Sequence, residues 1–201
     1  ITDVFENNSF DFFSSLSYYV SLSRAKIMEI TDVTISRKKP IYPVGPGLMK
    51  YLRIYQRDGK LPIGYKDLLN FQETVPVMDK FGNDTHWESP LYPPYMQEQL
   101  YDGLKVIYAN LKASGNTRIV AHKIIDRIEF CAFGNTKPFR IRIINRLNDV
   151  YDYFYVKQAD ASRIYGLELE EILSPNQVNY IVDRDTLVEE HIVGIPGDVF
   201  S

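Results

Sequence analysis

Phe139-Arg140-Ile141-Arg142-Ile143, then Leu147-Asn148-Asp149, then Tyr151-Asp152-Tyr153-Phe154-Tyr155-Val156-Lys157 is the stretch from which the fold can be read. The first five residues alternate apolar and basic, the period of a strand with one buried and one wet face. Leu147-Asn148-Asp149 has turn composition. Tyr151 to Lys157 is aromatic and β-branched, which favours a second strand. Period two puts Tyr151, Tyr153, Tyr155 and Lys157 on one face of it.

Working outward, Ile119 to Phe133 also has strand composition, and Gly134-Asn135-Thr136-Lys137-Pro138 makes the turn between it and Phe139. Downstream, Ser162 to Leu173 has helical character and stops at Ser174-Pro175-Asn176. Its Leu167, Leu169, Ile172 and Leu173 require burial, with Glu168 near the border of that face. Val178 to Val182 and Thr186 to Ile192 are two more strands around the turn Asp183-Arg184-Asp185. The order is β-β-β-α-β-β, an antiparallel layer with one crossover helix.

The residues before this layer have a different pattern. Phe10 to Ile30 has helical spacing in Phe12, Phe13, Leu16, Tyr19, Val20 and Ala25, and Thr31 to Ser36 suits a short strand. Residues 37–47, with three prolines, two glycines and Arg37-Lys38-Lys39, suit a connecting loop. Helices are expected over Leu48 to Asp58, Tyr65 to Phe71 and Tyr95 to Lys112. The last carries Met96, Leu100, Leu104, Ile107 and Leu111 on one face and ends at Ser114-Gly115-Asn116. Residues 72–96 are rich in proline and suit a long packed loop or arm. The expected fold class is therefore α+β, a mostly helical N-terminal half (residues 1–113) followed by the β-β-β-α-β-β layer (residues 114–201).

The chain has 201 residues, enough for one core without disulfides or metal. Its net charge of -3 disfavours a generic phosphate-backbone binder, so nucleic acid is not an expected partner. One cysteine, Cys131, excludes an internal disulfide and fits a reducing, cytoplasmic setting. No apolar run is long enough for a spanning helix, so no membrane is expected. The chain begins at Ile1 rather than Met, which fits a processed product or a piece of a longer protein. Fifteen tyrosines point to grooves or contacts between protein parts.

Several candidate sites have simpler explanations. The histidines His86, His122 and His191 lack metal-ligand spacing, and no nucleophile elbow is present. Trp87 suits a buried or interface anchor. Arg140 and Arg142 suit a solvated sheet face, or phosphate contacts beside the tyrosine strand if the two faces coincide, as on single-strand RNA platforms. The acidic pairs Asp149 and Asp152, Glu168 and Glu171, and Glu189 and Glu190 do not by spacing make an acid-base dyad.

One constellation carries more. Phe154-Tyr155-Val156-Lys157, then Gly166-Leu167-Glu168-Leu169-Glu170-Glu171, then Glu189-Glu190-His191-Ile192-Val193-Gly194 follow a β hairpin in order. This resembles the N-terminal, nucleotide-covering lobe of protein-kinase-like folds. The resemblance implies that Lys157 contacts nucleotide phosphates and pairs with Glu168, with Glu171 as runner-up. It implies a hinge from Glu190 through Ile192 to Gly194 against the adenine, and a phosphate-covering turn at Gly134. The implied cofactor is ATP with Mg. The family's G-x-G-x-x-G is reduced here to one glycine, Tyr155 stands where a small residue is usual, and the catalytic elements would lie beyond Ser201. The implied function is a fragment of an ATP-dependent phosphotransferase, inactive alone. The alternatives are a non-enzymatic protein-interaction domain with Tyr-rich grooves, or a single-strand RNA-binding module.

Overall fold

A computed structural model of the chain describes residues 39–193. The helix expected over Phe10 to Ile30, the strand over Thr31 to Ser36, and Arg37 and Lys38 lie outside the described residues, as do residues 194–201. The described residues 40–193 belong to one compact unit.

Helix α1 spans Pro46–Ile54 and helix α2 spans Tyr65–Leu68. Strands β1 (Glu73–Met78) and β2 (Asp84–Leu91) follow, then helix α3 (Pro94–Ala113). A 3-10 turn at Thr117–Val120 leads into β3 (Lys123–Phe130), β4 (Phe139–Asn145) and β5 (Tyr151–Gln158). Helix α4 (Ala161–Leu173) crosses over to β6 (Tyr180–Asp183) and β7 (Thr186–Glu190). The seven strands form one sheet in the order β1-β2-β3-β4-β5-β7-β6, and every pairing is antiparallel.

The α+β class and the β-β-β-α-β-β order are as the sequence indicated. The irregular arm expected over residues 72–96 is instead a β hairpin, β1–β2, that extends the sheet. Pro76 can enter a strand because β1 is an edge among the described residues, where a missing N–H costs least. The register shifts between Pro76 and Met78. At the other edge, β6 is flanked by the chain after α1. Asp58 bridges Val182, the Gly59 N–H donates to Val182 O (3.1 Å), and the Val182 N–H donates to Arg57 O (2.9 Å). The division expected at residue 113 falls at the end of α3, and α3 packs on the same core as β3 and β4.

The sheet has two differently covered faces. Phe139, Ile141 and Ile143 of β4, Phe154 and Val156 of β5 and Val188 of β7 point to one face, under Leu100, Leu104, Ile107 and Leu111 of α3. Gly103 lets Ile63, which precedes α2, pack closely against α3, because a Cβ there would meet Ile63 Cγ1 at 2.2 Å. Ser114 in the left-handed conformation and Gly115 (φ 85°) end α3. On the opposite face, Tyr180, Val182 and Leu187 are covered by Leu48 and Leu52 of α1 and Ile164 and Leu167 of α4. Asp160 caps α4 by accepting from the Ser162 N–H at 3.1 Å.

Candidate functional site

The face that carries α1 and α4 also carries the expected site. Lys157 sits on β5, an interior strand, and pairs in register with Leu187. Its ammonium is ion-paired with Glu189 of β7, not with a carboxylate of α4. Glu189 is almost fully buried and also accepts from Arg163 Nε of α4 at 3.0 Å. One carboxylate thus holds two cations where the sheet meets α4. Tyr155 flanks the pair, and its hydroxyl lies 3.1 Å from His191 Nδ1. Burial raises the Tyr155 hydroxyl above its ordinary pKa, with Arg140 acting against it and Glu189 with it.

Glu168 is placed elsewhere. It accepts hydrogen bonds from Tyr51 Oη (2.7 Å) and from Tyr180 Oη, and Arg57 Nε lies 2.7 Å from Oε1. Arg57 also reaches Glu171, the runner-up, through Nη2 at 3.0 Å. Glu168 therefore fastens α4 to α1 and β6. Burial and the bond to Glu168 push the Tyr180 hydroxyl far upward. The Arg57 guanidinium is pulled down by burial but held above its ordinary value by Glu168 and Glu171.

The remaining expected residues lie apart. Phe139 pairs with Val156, so the β3–β4 turn with Gly134 is at the Lys157 end of β5. A Cβ at Gly134 would meet Pro138 Cδ at 2.6 Å, so this glycine has a reason inside the turn itself. Glu190 points to the α3 side of the sheet. It binds Lys112 Nζ at 2.7 Å and accepts from the Asn179 N–H at 2.9 Å. Ile192 follows β7 and is half exposed.

The arginine and tyrosine strands do share one face, in the pairs Arg140 with Tyr155 and Arg142 with Tyr153. Arg140 lies over the Trp87 ring at 4.3 Å and Arg142 over Tyr151 at 4.2 Å. Each guanidinium also has a carboxylate: Glu129 at 2.6 Å from Arg140 and Asp126 at 3.1 Å from Arg142. Arg127, in register with Arg142, shares Asp126 at 3.4 Å, so three guanidiniums meet two carboxylates across β3 and β4.

The feature that sequence reasoning missed is on α4. Its inner residues Ile164 and Leu167 are buried, and Glu168 beside them is only 8 % exposed. Leu169, Ile172 and Leu173, expected to be buried, are 57 %, 71 % and 77 % exposed, and Tyr165 is 57 % exposed. At spacings of four, three and one they form a continuous apolar stripe along the outside of the helix. Gly47, Leu48 and Tyr51 of α1 join Tyr165, Leu169 and Ile172 around a groove of about 520 Å³ with Glu168 at its base. The clue in the sequence was a helix with apolar residues at 164, 165, 167, 169, 172 and 173, wider than one buried face requires.

Among the described residues, no group of three or more His, Cys, Asp or Glu side chains is arranged to hold a metal ion. Among them, too, no helix is long and apolar enough to cross a membrane. No family model, no curated protein and no solved structure matches the chain.

Proposed function

We propose that the chain works as a protein-interaction module whose contact surface is the α1/α4 face. The observation that carries this is the exposed stripe of Tyr165, Leu169, Ile172 and Leu173. An apolar patch above about 400 Å² on a folded surface marks a place where another chain sits. The stripe's supports are fixed in advance by Arg57, Tyr51 and Tyr180 on Glu168, so little ordering is needed on binding. The test uses the wild-type chain and Leu169→Asp/Ile172→Asp as paired baits, with thermal melts to show that both are folded. Cross-links from α1 and α4 to a bound protein are expected for the wild type and should vanish in the variant. A partner retained equally by both overturns this function.

A second reading is favoured by the Lys157–Glu189–Arg163 cluster. The β3–β4 hairpin, the lysine strand, the crossover helix and two further strands come in the order that the kinase-like resemblance implies. Lys157 and Arg163 share one carboxylate and leave one net positive charge where the sheet meets α4. In this reading they hold the phosphates of ATP with Mg, and the catalytic groups belong to another lobe. Calorimetry with MgATP tests it. Binding by the wild type that is lost in Lys157→Met is the expected result, and no binding by the wild type overturns it.

A further inference from the structure

We propose that the occupant of the α4 stripe is a second copy of this chain, docked α4 against α4 in antiparallel orientation about a two-fold axis. The inference rests on reading this face as a contact surface and names what fills it.

The stripe is complementary to itself. Its N-terminal half carries the small residues Ser162 and Gly166 beside Tyr165, and its C-terminal half carries Leu169, Ile172 and Leu173. In an antiparallel pair centred between Leu167 and Glu168, Ser162 faces the partner's Leu173 and Gly166 faces the partner's Leu169. Small meets large at these two contacts, so the helices can approach closely there, while Tyr165 and Ile172 lie opposite the partner's Glu170 and Arg163. Gly166 has no internal reason to be glycine. A Cβ there would meet nothing within 4 Å, although glycine inside a helix is less stable than alanine. An approaching backbone supplies the missing reason.

Charge points to the same arrangement. Arg163 is at the start of α4, whereas Glu170 and Glu171 are near its end. Arg163 and Glu170 are seven residues apart, so they lie on one flank of the helix. A two-fold axis across the pair brings equal flanks together, so the partner's Glu170 comes to the flank where Lys157 and Arg163 share Glu189 and leave one net positive charge. Antiparallel orientation also opposes the two helix dipoles favourably. The four exposed side chains present roughly 500 Å² on each copy, so about 1,000 Å² between two copies, near the least that a specific interface needs.

Sedimentation velocity of the 201-residue chain over two decades of concentration tests the pairing. The wild type should pass from monomer to dimer and stop there. Gly166→Leu fills the hole with a better helix former, so it should keep or raise the melting temperature while weakening the dimer by about tenfold or more. Leu169→Asp/Ile172→Asp should remain a folded monomer throughout. A dimer insensitive to both variants places the interface elsewhere and overturns the pairing. A wild type that stays monomeric also overturns it; if that monomer still captures a different protein through α4, only the identity of the occupant fails. If capture fails as well, the contact-surface reading falls with it.

Discussion

Arg57 Nε lies 2.7 Å from Oε1 of Glu168, the carboxylate that Tyr51 and Tyr180 also reach. Three elements, α1, α4 and β6, thus meet on one charge. Arg57→Ala should leave that charge largely buried without its cation and cost about 3 kcal/mol, read from denaturant unfolding. Glu168→Gln keeps an acceptor for the tyrosines and should cost less. Equal losses in the two variants would show that the cation contributes little.

Lys112 and Glu190 set a pH window for stability. Burial pushes the Glu190 carboxyl up, but the Asn179 N–H and Lys112 outweigh it, and the net pKa is below the ordinary 4.5. Burial pulls Lys112 down, and Glu190 and Asp152 outweigh it, so its net pKa is above 10.5. A depressed acid stabilises above its unfolded pKa, and that contribution fades as pH falls through the folded value. A raised base stabilises below its unfolded pKa and fades as pH rises through the folded value. This pair's contribution should therefore be complete between about pH 4.5 and pH 10.5. Glu190→Gln should lower the melting temperature at pH 7 and flatten its fall below pH 4.5. An unchanged acid limb would assign that limb to other groups.

Two glycines in helices should respond with opposite sign. Gly103→Ala inserts a methyl 2.2 Å from Ile63 Cγ1, a buried residue, and should cost about 1–3 kcal/mol. Gly166→Ala meets open space and should stabilise the monomer by about 0.8–1 kcal/mol through helix propensity. Chemical denaturation at a concentration where the chain is monomeric measures both. The same sign for both would contradict the packing around Ile63.

Burial alone raises the Tyr65 hydroxyl to about 12, and it donates to Lys137 O at 3.0 Å. Tyr65→Phe should cost about 1 kcal/mol by leaving that carbonyl short of a donor. It should also loosen the β3–β4 turn, visible as faster amide exchange at Gly134 and Lys137. Unchanged exchange there would show that the turn is held by its own bonds.

The elements built on strong periodicity were legible. Met96, Leu100, Leu104, Ile107 and Leu111 defined α3, and the alternation in Phe139 to Ile143 defined β4 with three fully buried side chains. The β1–β2 hairpin was not, because Pro76 and Pro90 argue against a strand unless its place in the sheet is known. Within the expected site, the position of Lys157 on an interior strand was legible but its partner was not. Glu189 and Glu168 are both near in sequence terms, and only the pairing of β5 with β7 decides between them. The outward turn of Leu169, Ile172 and Leu173 was invisible for a different reason. Hydrophobic spacing shows that a face wants cover but does not say which molecule provides it.

The edges of the sheet bear on how the molecule behaves when crowded. Strand-by-strand polymerisation needs a free rail of backbone donors and acceptors at each end. Here the chain's own segment from Arg57 to Gly59 occupies one rail, and the imide of Pro76 with the adjoining register shift interrupts the other. Contacts between molecules are thereby steered away from templated fibre growth and toward helix surfaces, where a two-fold arrangement saturates after a single addition.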